Sequence, residues 1–250
     1  MLWPALILVT FFAATVQSAL GFGFGLIAVA AFLILLDSAD AVQLVIILTF
    51  AMSAAHYPSL KSATNLPLLK MLAISCLLGF PIGIWLYQSI DLSLLKQSIG
   101  ALLIALASHS FYRLYQRPDT KVKSATQCLS VSDRYWIRPI GFLAGIMATC
   151  LAMPGPIVML YLSSTAVTKN QLRAIMSGFF IFSYLGALIF QLLLVGVSSQ
   201  TWLTALALLP AALLGTAAGH YLSARIAQQF FQKLVLVILL LTGIFILFNQ

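Results

Sequence analysis

Gly21-Phe22-Gly23-Phe24-Gly25 interrupts an apolar run that otherwise extends from Leu2 to Leu36, and Met153-Pro154-Gly155-Pro156 interrupts a second run between residues 136 and 166. Glycine loses the most backbone freedom on ordering, and proline lacks an N–H and clashes with the preceding turn, so both stretches should stop a helix. The flanks stay apolar on both sides, so neither break reads as a polar loop leaving the bilayer. In hydrocarbon every backbone N–H and C=O must be satisfied, and irregular backbone is tolerated only where protein or a water-filled cavity surrounds it. Each break therefore points to a protein-lined interior.

The rest of the chain supplies the membrane. Hydrophobic residues make up 62% of it and charged residues 7%, against about 25% charged in an ordinary soluble domain. Apolar segments fall at 2–20, 22–36, 41–57, 66–87, 92–112, 136–152, 154–166, 171–196, 201–223 and 231–248. They are long and unbroken, without the period-two alternation of a membrane barrel. The expectation is an all-α polytopic membrane protein with about eight transmembrane segments, or about ten if the arms of the broken pairs are counted separately. Met1-Leu2-Trp3-Pro4 has no basic region ahead of its apolar run and no small-residue cleavage site after it, so the first segment is expected to be retained.

Charge sets the orientation. Arg113, Arg117, Lys121, Lys123, Arg134 and Arg138 outnumber Asp119 and Asp133 in one stretch, which places the basic loop 113–138 in the cytoplasm by the positive-inside rule. The net charge of +8 is therefore topological and implies no nucleic-acid partner. Counting outward from that loop puts Lys61, Lys70, Lys169, Arg173, Arg225 and Lys233 inside, and Asp37, Asp40 and Asp91 outside, with both termini periplasmic. The count closes only if each broken pair begins and ends on one side, as a re-entrant hairpin or as two short crossings. Each half is then a hairpin plus three spans, and the halves have opposite orientation: a first repeat over 1–115, a basic cytoplasmic linker over 116–134 and a second repeat over 135–250. Leu77-Leu78-Gly79, Gly83 and Leu86 recur as Leu213-Leu214-Gly215, Gly219 and Leu222 at an offset of 136, and Gly25-Leu26-Ile27 resembles Gly155-Pro156-Ile157 at an offset of 130. Inverted repeats with helices interrupted at matching places are the sequence pattern of secondary transporters, whose site lies near the midplane between the repeats.

A helix restarting after a glycine break presents free N–H groups and the positive end of its dipole, which suits an anion. Gly21, Gly23 and Gly25 in the first half, and Pro154, Gly155 and Pro156 in the second, are the backbone candidates; kinked helices packed through small residues are the other reading. The chain contains no Glu, and its five Asp lie at segment ends or in loops. Intramembrane carboxylates mark cation sites and proton relays, so a cation carrier is disfavoured. Neutral groups remain to bind a small oxyanion: Gln17, Ser18, Thr49, Ser53, Thr149 and Ser177. Each of these also has the ordinary role of a packing or back-bonding side chain. His56, at the end of the span after the first break, could couple protonation to transport, the alternative being an interfacial polar residue.

No nucleophile–base constellation or metal set is present, so no catalytic residue, no cofactor and no enzymatic activity are expected. Cys76, Cys128 and Cys150 lack CxxC spacing and read as packing residues. Trp3, Trp85, Tyr87, Tyr112, Trp136 and Trp202 fall near segment ends, as an aromatic belt would place them. The partners expected are a small anionic solute and the lipid bilayer, and a homo-oligomer is compatible with the pattern. An assembly protein, or a carrier of another small solute without sulfur specificity, is the alternative.

Gln17 through Ile27, with Gly141-Phe142-Leu143-Ala144-Gly145 leading to Pro154-Gly155-Pro156 and a length near 250, resemble the sulfite exporter TauE/SafE family. The resemblance covers nearly the whole chain, with Ala30 where members often carry a proline. It implies a bacterial inner-membrane permease that exports sulfite or a related small sulfur-containing or organic anion.

Overall fold

The computed structural model describes residues 2–59, 64–116, 131–164 and 169–222, with positions 237, 240, 243 and 244 beyond them. Most of the expected linker and of the segment 231–248 lies outside the described residues, as does Cys128. Every regular element described is helical: α1 Leu2–Leu20, α2 Phe24–Leu36, α3 Asp40–His56, α4 Leu66–Ser89, α5 Leu92–Gln116, α6 Val131–Leu151, α7 Gly155–Ser164, α8 Lys169–Leu194 and α9 Ser199–Leu222, with a 3₁₀ turn at Tyr57–Ser59. Helix α6 starts before Trp136, so the last residues of the expected linker are already helical.

Four of these helices are long and apolar enough to cross a membrane unaided, Leu2–Leu20, Leu66–Ser89, Gln171–Leu194 and Ser199–Leu222, and four further apolar stretches are shorter. Their outward faces carry large apolar side chains such as Ile74, Leu78, Leu193, Leu206 and Leu214, which water would not tolerate in such number. The chain is an all-helical polytopic membrane protein.

Close crossings show how the helices run. A Cβ on Gly79 would strike the Phe142 carbonyl and Ile146 N, and one on Gly83 would strike Ile146 and Thr149, so α4 and α6 ascend together with their backbones in contact. Gly215 against Phe11 and Ala14, and Gly219 against Thr15 and Ser18, make the same crossing between α9 and α1. Leu69 meets Gly178 and Phe80 meets Gly186, so α8 runs with α4. The His56 and His220 rings lie 5.4 Å apart, which sets α3 running with α9. Gln43 of α3 bonds Gln191 of α8, near the N-terminus of one helix and the C-terminus of the other, so these two are antiparallel.

Helices α1, α3 and α9 therefore point one way and α4, α6 and α8 the other. Each of α1, α3 and α4 is opposed in direction to its counterpart α6, α8 and α9, which is the inverted relation expected from the charges. Close approach through small residues is how membrane helices gain packing where lipid supplies no hydrophobic drive between them.

Candidate functional site

The first break occupies Gly21–Gly23, between α1 and α2. Gly21 has φ 87 and Gly23 φ 121, left-handed values that glycine adopts without a Cβ penalty. The second occupies Ala152–Pro154. There the left-handed residue is Ala152, φ 52, held by the Tyr184 hydroxyl, which donates to its carbonyl at 2.8 Å, while Met153 N donates back to Met147 O at 3.1 Å.

The two breaks touch. A Cβ on Gly25 would lie 2.5 Å from the Ala152 oxygen, and one on Gly155 would lie 3.6 Å from the Phe22 Cβ and 3.0 Å from the Phe180 ring. They differ in surroundings: Ala152 through Pro156 are buried, whereas Gly21 and Phe22 are half-buried.

A small, partly open cleft lies beside the first break, lined by Gln17, Ser18 and Gly21 of the first arm, Met52, Ser53 and His56 of α3, Arg173, Ser177 and Phe180 of α8, and Thr216 of α9. Six of the expected residues thus come together: Gln17, Ser18, Gly21, Ser53, Ser177 and His56. The others lie elsewhere. Gly23 and Gly25 pack inside the break. Pro154, Gly155 and Pro156 are buried and do not line the cleft, and Gly155 packs against the Phe180 ring that does. Thr49 donates back to the Val45 carbonyl at 2.7 Å, the back-bonding alternative. Thr149 is shared among the Phe80, Gly145 and Ile146 carbonyls at 3.2–3.4 Å and supports the α4–α6 crossing.

Thr216 of α9 is a polar wall residue that sequence reasoning did not single out, and Arg173 is the charged residue that it missed as a site member. It was counted with the loop cations that set topology, yet its Nη2 donates to the Ser18 carbonyl at 2.6 Å and its Cγ lies 3.2 Å from a Gly21 Cβ position. The side chain is half-buried. The one ion pair among the described residues, Lys96 with Asp37, is elsewhere. Its bond to a carbonyl in the last turn of α1 uses the negative end of that helix. Four buried polar atoms of cleft residues have no hydrogen-bond partner: Ser18 Oγ, Ser53 Oγ, His56 Nε2 and Arg173 Nε. Buried polar groups are nearly always paired, and these four cluster around one cleft. Arg173 Nε can only donate, the two serine hydroxyls can donate or accept, and His56 Nε2 donates in the tautomer protonated there.

Among the described residues no group of three or more His, Cys, Asp or Glu side chains is placed to hold a metal ion. Cys76 and Cys150 are buried apart, Cys76 in the α4–α6 crossing. No curated protein and no solved structure matches the chain at a significant level. A family model does, over residues 6–246, nearly the whole length, and it spans both breaks and the cleft: the chain belongs to the Sulfite exporter TauE/SafE family.

Proposed function

We propose that the protein is an inner-membrane permease exporting a small oxyanion, such as sulfite or an organosulfonate, through the cleft beside the first break, by alternating access between its inverted repeats. Family membership supports a membrane transporter for sulfite or a related anion. The observation that carries the finer reading is the set of unpartnered atoms around Arg173. An oxyanion offers several acceptor lone pairs, and a guanidinium, two hydroxyls and an imidazole N–H offer matching donors. The charge balances as well, since one cation facing one cleft would be neutralised by one anion. Gln17, Gly21, Ser177 and Thr216 complete the wall, and His56 is the group we assign to proton coupling.

In the orientation set by the basic loop, Arg173 and His56 face the cytoplasm, so the cleft opens to the side from which an exporter loads. Removing a charge-assisted hydrogen bond costs about 1.5–3 kcal/mol, or about ten- to a hundredfold in Kd. Arg173→Ala should weaken sulfite binding by about that factor and reduce efflux from loaded vesicles correspondingly, whereas Arg173→Lys should retain part of both. His56→Gln should keep transport but lose its response to an imposed pH gradient. Unchanged binding and efflux in Arg173→Ala, or no efflux of any anion by the wild type across a broad panel, would reject the proposal.

A further inference from the structure

The cleft lies between the C-terminal part of α3 and the N-terminal part of α8, at one end of this antiparallel pair. Beyond Phe180 the two helices are tied together. Gln43 Nε2 of α3 donates to Gln191 Oε1 of α8 at 3.0 Å and to the Gly196 carbonyl at 2.9 Å, and Gln191 Nε2 donates to the Thr149 carbonyl at 3.2 Å. This knot joins α3, α8, the turn after α8 and the last turn of α6, just ahead of the second break. Gln43 is 2% exposed and Gln191 0%. The amide orientations follow from the partners, because turning Gln43 over would set its oxygen against two acceptors. Its Oε1 is consequently buried with no donor.

A pair of leucines would fill the same space with no polar atom to satisfy, and burying amides that are incompletely paired is costly. What two amides offer and leucines do not is a contact that can part and be rehydrated on both faces, since each half bonds water as readily as the other half. That property suits a contact which must open and reclose.

The inverted repeat adds an independent argument. Contacts at the two glycine crossings relate α1 to α6 by 131 residues and α4 to α9 by 136. Helices α3 and α8 lie between those pairs in the chain, so Gln43 corresponds to a position within 174–179 and Gln191 to one within 55–60. Ser177 and His56 fall in those windows, and both line the open cleft. The tied contact and the open rim thus occupy equivalent places in the two repeats. When two inverted halves exchange conformations, the closed face of one state becomes the open face of the other.

We infer that Gln43 and Gln191 form the gate that closes the far side of the cleft, and that parting them is coupled to closure of Ser177 and Arg173 onto Ser53 and His56. The inference rests on the transport reading above and names the moving contact within it.

The test reads thiol accessibility, which needs no substrate. In the full-length protein with Cys76, Cys128 and Cys150 replaced by Ala, Met153→Cys reports on the far side and Gln17→Cys on the cleft side, each labelled by a membrane-impermeant maleimide from its own side. Adding Gln43→Leu and Gln191→Leu together makes a contact that gains nothing from water when it parts, so it should hold the far side shut, lowering labelling at position 153 and raising it at position 17, each by about tenfold. A second arm bridges Gln43→Cys and Gln191→Cys with a short bis-methanethiosulfonate reagent. Bridging should stop sulfite efflux, leave labelling at position 17 intact, and be reversed by reductant. Unchanged labelling in the leucine variant, or undiminished efflux in the bridged one, overturns the gate while leaving the transport reading in place. The expected labelling changes in a protein that moves no anion would keep the gate and overturn the transport reading.

Discussion

An unpaired hydroxyl in a folded interior is a loss that a bound ligand can recover, which makes the cleft serines separable from ordinary packing serines. Thr10, Thr15 and Thr49 each return their hydroxyl hydrogen to the carbonyl four residues back. Ser53, one turn beyond Thr49 on α3, has no such bond and is 3% exposed. Deleting the Ser53 hydroxyl therefore removes an unmet desolvation penalty from the empty protein, while the filled protein loses a hydrogen bond worth about 0.5–1.5 kcal/mol. Ser53→Ala should leave the Tm of the solute-free protein unchanged or slightly raised, and should shrink the increase in Tm produced by saturating sulfite. A scanning fluorescence melt with and without the anion separates this from a packing role, in which the solute-free Tm would fall. Arg173 shows why some of the site was illegible residue by residue: a basic side chain one turn inside a span reads the same whether it meets lipid headgroups or turns toward a cleft. Only the α1 carbonyl that receives it distinguishes the two, and that carbonyl lies 155 residues away in the chain.

At the scale of elements, the glycines divide the work. Those at the first break supply left-handed backbone, whereas Gly79, Gly83, Gly145, Gly215 and Gly219 remove side-chain bulk where helices cross. Gly83 faces the Ile146 backbone, with its Cα 2.8 Å from a Cβ position, and neither backbone is free to yield. Gly83→Val should therefore separate α4 from α6 and destabilise the protein by about 1–3 kcal/mol or more, as overpacking does. The check is the fraction of detergent-solubilised protein that elutes as one monodisperse peak after stepwise heating. Leu86→Ala, three residues along the same helix, should change that fraction far less if the effect is steric and specific to the crossing. The helices and both breaks were readable from the sequence because glycine and proline act locally, through the backbone of their own residues. The repeat was readable because a crossing demands small residues at fixed spacing on both copies. What could not be read was which side of each break faces a cavity: Phe180, from a helix that follows both breaks, fills the space beside Gly155, whereas Gly21 meets Arg173 in the wall of the cleft.

For the whole molecule, the direction of every crossing matters more than the division of the chain. The two glycine crossings, α4 with α6 and α1 with α9, both join the first half to the second, as do α3 with α8, α4 with α8 and α3 with α9. Within the first half, the corresponding packing of α1 on α2 and of α2 on α3 is less extensive. Neither half can bury its small-residue faces alone, since the surface that matches each face belongs to the other copy, and in lipid an unmatched face gains nothing by closing on itself. The proposed repeats 1–115 and 135–250 should accordingly behave as one folding unit despite being separate copies along the chain. Cutting the chain within 117–130 and expressing the two pieces together should yield a complex that co-purifies through a tag on one piece and retains sulfite efflux. Either piece expressed alone should be degraded. Introducing Gly83→Val and Gly219→Val into the two pieces should abolish co-purification, because those substitutions strike both inter-half crossings at once. Stable accumulation of a single piece would show instead that each half holds its own core, and the inverted halves would then be domains that dock, with the cleft at their seam free to open by simple separation.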